Sequence, residues 1–253
     1  MKTNPIPPQY ARWGRFDELH DRNEIILRDI LEDSAKHEDR SAIDQKIGAF
    51  YKSCMDERAI ERAGTKPVNP EIERINKITD SSEIAREVAR LQAQRVSAFF
   101  AFGSAPDPDN ARMTTPVADE GGLGLPDRDF YFRTDAKSDE TRREYVKHIA
   151  EIFQLLGDDG DVAGVKARAV MTIETNLASG ALSRVERRDP TRRHNPMSLS
   201  QFEASVPAFD FNQYLSELKT PAFTNLNVAE PKFFSNLNGV LQSTGLTDLK
   251  TYL

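Results

Sequence analysis

Glu144-Tyr145-Val146-Lys147-His148-Ile149-Ala150-Glu151-Ile152-Phe153-Gln154-Leu155-Leu156-Gly157 decides how the rest of the chain reads. Tyr145, Ile149, Ile152, Phe153 and Leu156 recur at the three- and four-residue spacing of one helix face. Gly157 is placed to stop that helix, because glycine enters the left-handed conformation without a Cβ penalty. A second stripe follows at Val165, Ala169, Ile173 and Leu177. Two amphipathic helices therefore succeed one another from Ser138 onward.

Upstream, Asn4-Pro5-Ile6-Pro7-Pro8 cannot be helix, because its prolines fix φ and remove donors. Helical spacing begins with Phe16, Leu19, Ile26, Leu27 and Ile30, and resumes with Ile43, Ile47, Phe50, Tyr51 and Cys54, ending near Gly64 and Pro67. A shorter helix follows Pro70 through Ile72, Ile75 and Ile78. Asp80-Ser81-Ser82-Glu83 supplies capping oxygens to a further helix running towards Phe99. The centre changes character: Met113 to Val117 fits a short strand paired with the end of the apolar run Phe99 to Gly103. Gly121 to Asp127 must be a loop, since its glycines suit positive φ and close backbone approach. Downstream, Ser198 to Val206 and Phe211 to Leu218 read as short helices separated by Pro207, and a last helix spans Pro231 to Ser243. The predicted fold class is mainly α, a multi-helical lobe with a small irregular or short β segment near the middle.

Composition sets the outer limits. At 253 residues, 38% hydrophobic and 29% charged, the chain can bury a core under an ionic surface. A net charge of -6 favours neither nucleic acid nor an anionic membrane as partner. The basic cluster Arg184, Arg187, Arg188, Arg192 and Arg193 reads as a solvated loop or ion-pair network ahead of a phosphate site. One cysteine, Cys54, excludes an internal disulfide and reads as a small buried side chain. No apolar run approaches the roughly 20 residues that span a bilayer, and the opening Met1 to Pro5 does not read as a signal peptide.

Hydrolytic zinc needs three protein ligands and an open position for water, most economically from H-E-x-x-H on a helix. The histidines are His20, His37, His148 and His194, and no two stand four residues apart. Asp17, His20 and Glu24 share one helix face, as do Glu144, His148 and Glu151, but both sets fit surface charge pairing at one-turn spacing. Gly121 to Gly124 lacks the lysine and hydroxyl of a phosphate-binding loop. The residues alone give a helical protein with no evident catalytic centre.

Several segments carry a resemblance. Asn4-Pro5-Ile6-Pro7 with Arg12-Trp13-Gly14-Arg15-Phe16-Asp17-Glu18-Leu19, then Tyr51-Lys52-Ser53-Cys54-Met55-Asp56, then Gly122-Leu123-Gly124-Leu125-Pro126-Asp127-Arg128-Asp129-Phe130-Tyr131 fall in one order. Arg187-Arg188-Asp189-Pro190 and Thr251-Tyr252-Leu253 complete the series. Together they resemble the N-terminal, non-catalytic region of the neprilysin and endothelin-converting-enzyme family of zinc metallopeptidases. The resemblance implies that residues 1–253 form a partial N-terminal helical domain, cut at both ends, with H-E-x-x-H and the zinc in polypeptide beyond Leu253. It implies no metal or cofactor of this chain's own, zinc in the parent enzyme, a catalytic C-terminal domain as partner, and small peptides as substrates. The family is extracytoplasmic, whether secreted, periplasmic or membrane-anchored. By position, Arg12 matches an arginine that pairs with a peptide's terminal carboxylate, and Asp17 matches the acid that orients it. A free-standing helical binding module without enzymatic activity stands as the alternative reading.

Overall fold

The computed structural model describes residues 13–37 and 41–253. The chain divides into two compact units, Met1–Pro67 and Val68–Leu253.

The first unit holds α1 (Arg15–Lys36), α2 (Ala42–Cys54) and α3 (Glu57–Ala63). Ser41 caps α2 by accepting the Asp44 amide, and Asp56 caps α3 by accepting that of Ala59. The stretch expected to run unbroken towards Gly64 is thus split at Asp56, whose side chain starts a new helix. α1 and α2 pack closely because Gly48 has no side chain: a Cβ there would run into the Ser34 carbonyl. Among the described residues of this unit only Ser34 and Gly48 are buried. Phe16 is 88% exposed, Ile43 69% and Phe50 71%, so apolar faces of α1 and α2 lie open. Cys54, expected to be buried, is exposed, and Phe50 one turn before it is exposed as well.

The second unit begins with α4 (Asn69–Asn76) and a 3₁₀ turn at Ser81–Glu83 that leads into α5 (Ile84–Ala93). Asp80 and Glu83 form a reciprocal capping box at that entry. α5 stops well short of Phe99: Arg95 turns to φ +67° and the Val96 amide bonds back to Leu91. The chain can then enter β1 (Phe100–Pro106), which pairs antiparallel with β2 (Thr114–Glu120), the expected central hairpin. After the glycine loop come α6 (Asp129–Phe132), α7 (Ala136–Leu155) and α8 (Gly160–Gly180). Asp135 and Asp159 cap the two long helices, and Gly157 between them takes φ +107°.

Beyond a 3₁₀ turn at Glu186–Arg188 lie β3 (Pro196–Ser198), α9 (Leu199–Ser205), α10 (Phe211–Glu217), β4 (Asn225–Val228), α11 (Pro231–Ser243) and α12 (Leu246–Tyr252). The sheet order is β1-β2-β4-β3; β4 runs parallel to β2 and antiparallel to β3. Aromatic rings from the sheet and the later helices fill the core. Phe100 has the rings of Phe209, Phe211, Tyr214 and Phe234 centred 5.2–5.8 Å away. Each pair adds about 0.5–1.5 kcal/mol beyond area burial. α8 meets α11 at Gly180, where a Cβ would press on Asn236, and Asn236 donates to the Asn176 carbonyl at 2.6 Å.

Candidate functional site

Asp17 stands in the first turn of α1, half-buried, where a carboxylate favours the positive end of the helix dipole. Its Oδ2 lies 3.5 Å from the position a Cβ on Gly14 would take, so it reaches back over the helix entry. Arg12, its expected companion, lies outside the described residues, as does the proline-rich arm Asn4 to Pro8. Neighbouring Arg15 pairs with Glu18 at 2.6 Å on the surface.

The best-built polar constellation is one that periodicity does not single out. Glu174 faces inward from α8, with 4% of its surface exposed, and receives hydrogen bonds from Tyr131 (2.7 Å) and Tyr145 (2.8 Å). The Tyr131 oxygen in turn accepts the Leu125 amide at 3.0 Å. Tyr252 adds a second clamp, accepting the Phe99 amide and donating to the Gly122 carbonyl at 2.7 Å. Two glycines make this approach possible. Gly122 sits at φ +72°, and a Cβ on Gly124 would collide with the Tyr145 hydroxyl. Burial pushes the Glu174 carboxyl above its ordinary range, against the two phenol bonds that stabilise its charge. Burial, and then the nearby Glu174 charge, raises both Tyr131 and Tyr145. The phenols therefore stay protonated donors. This is a bracket for the loop, with no nucleophile and no open coordination position.

The basic loop resolves into ion pairs. Arg187 meets Asp119 at 3.2 Å, Glu230 at 3.5 Å and Glu120 more closely still; Arg193 also grips Asp119. Glu230 is 2% exposed and accepts the Leu182 amide at 2.6 Å. Arg192 turns outward to Glu186 at 2.7 Å. The cluster ties β2 to the start of α11, and the ion-pair reading of these arginines holds for Arg187, Arg192 and Arg193.

The histidines are dispersed. His20 pairs with Glu24 (3.0 Å), His37 with Asp33 (3.0 Å) and His194 with Asp109 (3.2 Å), while Lys147 sits 3.9 Å from both Glu144 and Glu151. Among the described residues no three His, Cys, Asp or Glu side chains come together in a metal-holding group. Hydrolytic zinc does not fit this donor set. Beside the glycine loop a cleft of about 790 Å³ is lined by Ile149, Phe153, Lys166, Lys250 and Tyr252. Its lysines are already engaged, Lys166 by Asp158 at 2.6 Å and Lys250 by the Asn76 and Ile78 carbonyls. Among the described residues no helix is long and apolar enough to cross a membrane.

A mainly helical lobe with a clamped glycine loop is the class that fold and site define. The chain belongs to peptidase family M13, whose N-terminal model matches residues 1–253. It is 25% identical to endothelin-converting enzyme 1 of Rattus norvegicus over 266 residues, covering 100% of this chain and 34% of that protein. It is 26% identical to an endothelin-converting enzyme homolog of Locusta migratoria, covering 100% of this chain and 37% of that one. Among solved structures it superposes on the Mycobacterium tuberculosis zinc metalloprotease Zmp1 in complex with inhibitor, with a TM-score of 0.85 and 27% identity. That match covers 98% of this chain and 38% of Zmp1. The chain thus spans about a third of the length of these relatives and corresponds to the N-terminal region of neprilysin-like metallopeptidases.

Proposed function

We propose that this chain is the substrate-restricting lobe of a zinc-dependent metalloendopeptidase that cleaves small peptides, and that it is not catalytic by itself. The observation that carries the reading is the whole-length family match in a chain whose histidines are scattered singly. The zinc, its water and the general base belong to a catalytic C-terminal domain of the same polypeptide, which is this lobe's partner. A lobe set against such a domain excludes folded proteins and dries the reacting carbonyl, which strengthens polar contacts to it. Within the complete enzyme Arg12 pairs with a substrate carboxylate through two parallel hydrogen bonds, and Asp17 orients it. The enzyme works outside the cytoplasm. A size series tests the reading: a full-length protein containing this lobe should cleave short peptides and spare the same cleavage sequence inside a folded host. Equal rates on both would overturn it.

A further inference from the structure

The outer edge of β1 is open in a way that the register makes explicit. In an antiparallel pair, residues alternate between bonding to the partner strand and pointing their N–H and C=O away from it. Phe102 stands opposite Ala118, whose carbonyl is turned the other way, to the Ala229 amide at 2.8 Å. Ser104 stands opposite Pro116, which has no N–H to offer. Asp107, three positions on from Ser104, does bond across the hairpin, its amide to the Met113 carbonyl at 2.9 Å. Phe102 and Ser104 therefore point their backbone groups outward. At the start of the strand that side is occupied, since Gln92 donates to the Phe100 carbonyl at 2.7 Å. Further along, nothing among the described residues bonds to Phe102 or Ser104 on that side.

Exposed strand edges are usually blunted by charges, bulges or a covering loop. This one carries exposed Ala101, Gly103 and Ser104, and a Cβ on Gly103 would meet nothing within 4 Å. Phe102 leans on Tyr214 and Phe223, with ring centroids 5.8 and 6.1 Å away, which stiffens the strand from behind. Past Pro106 the hairpin tip presents Asp107 and Asp109; Asp109 meets His194 at 3.2 Å yet keeps 74% of its side chain exposed, and Arg112 is the only Lys or Arg between Pro106 and Met113.

We propose that this edge binds an extended peptide by strand addition, through the N–H and C=O groups of Phe102 and Ser104, with a basic residue of the peptide over Asp107 and Asp109. Main-chain bonds of this kind give affinity without demanding a sequence, and the acidic tip adds a preference at one end. That the occupant is a peptide rests on the function proposed above; that the edge is open rests on the register alone.

The test uses the whole chain and the blocked probe acetyl-Thr-Val-Thr-Val-Arg-amide. Saturating probe should slow hydrogen exchange of the Phe102 and Ser104 amides by about tenfold or more. Ser104→Pro removes one outward N–H and no ladder bond, a place where a strand tolerates proline. It should weaken probe binding about tenfold, a loss of the size expected for one or two bonds, with the exchange of Ala101 and Gly103 unchanged. Unprotected amides at 102 and 104, or equal binding by the variant, would overturn the proposal. So would protection that grows with protein concentration in the absence of probe, since a second copy would then fill the edge. The two readings fail separately: a size limit that survives loss of edge binding removes strand addition alone.

Discussion

The hydroxyl of Tyr252 accepts the backbone amide of Phe99 at 3.0 Å, across 153 positions of chain. Phe99 is fully buried and held at φ +58°, a conformation bulky residues rarely adopt, so its backbone must be constrained from outside. Tyr252 supplies the constraint by hydrogen bond and by ring contact, with centroids 4.7 Å apart. The same oxygen then fixes the Gly122 carbonyl. Tyr252→Phe keeps the ring and leaves both backbone groups without their partner, a change that costs about 1–3 kcal/mol. Urea denaturation should show a lower midpoint with an unchanged slope.

Glu174 makes stability depend on pH in a direction opposite to that of most carboxylates. Its folded form, raised by burial above the ordinary 4.5, keeps a proton that the unfolded chain has released. Its contribution is therefore complete below the unfolded value and is lost as pH rises through the folded one. Wild type should lose stability relative to Glu174→Gln as pH climbs from about 4.5. Parallel stability curves for the two proteins would contradict a buried, reluctantly charged carboxylate.

Arg187 holds three carboxylates, Asp119, Glu120 and Glu230, in one place. Arg187→Met leaves them facing each other, with Glu230 wholly enclosed. Breaking such a group from one side costs about 3 kcal/mol, the lower end of the buried-pair range because Arg187 keeps part of its surface in water. Thermal denaturation should show the loss, and Arg187→Met/Glu230→Gln should recover part of it.

Arg12→Ala, made in a full-length protein carrying this lobe, should raise KM for short peptides with a free C-terminus and leave amidated peptides unaffected. Arg12→Lys should not restore the difference, because an ammonium cannot form two parallel bonds to a carboxylate. An unchanged preference between free and amidated peptides would remove the assigned role.

Where a single residue type dictates backbone geometry, the reading from sequence matches the structure closely. Pro231 opens α11 and Gly157 closes the segment after α7, as proline and glycine chemistry requires. Met113 to Val117 falls within the hairpin of β1 and β2. Contacts made at a distance were not legible. β3 and β4 are three and four residues long and owe their pairing to each other and to β2, so they leave no period to read. The short α12 has Leu246, Leu249 and Tyr252 to mark its inner face, too few residues to establish a period. The stripe assigned to α8 was partly displaced: Val165 is 60% exposed, while Ala163, Ala167 and Val170 join Ile173 and Leu177 inside. Glu174 did leave a signal. An acid between Val170 and Leu177 on a buried face needs donors, which Tyr131 and Tyr145 supply. Asp17 was placed only as far as its helix entry.

Zinc content, measured together with hydrolysis, tests the central claim most directly. The purified chain, freed of contaminating proteases and dialysed against micromolar zinc, should retain no stoichiometric metal by elemental analysis and should leave a panel of fluorogenic peptides intact. One tightly held zinc per chain, with peptide cleavage that a chelator abolishes and zinc restores, would contradict it.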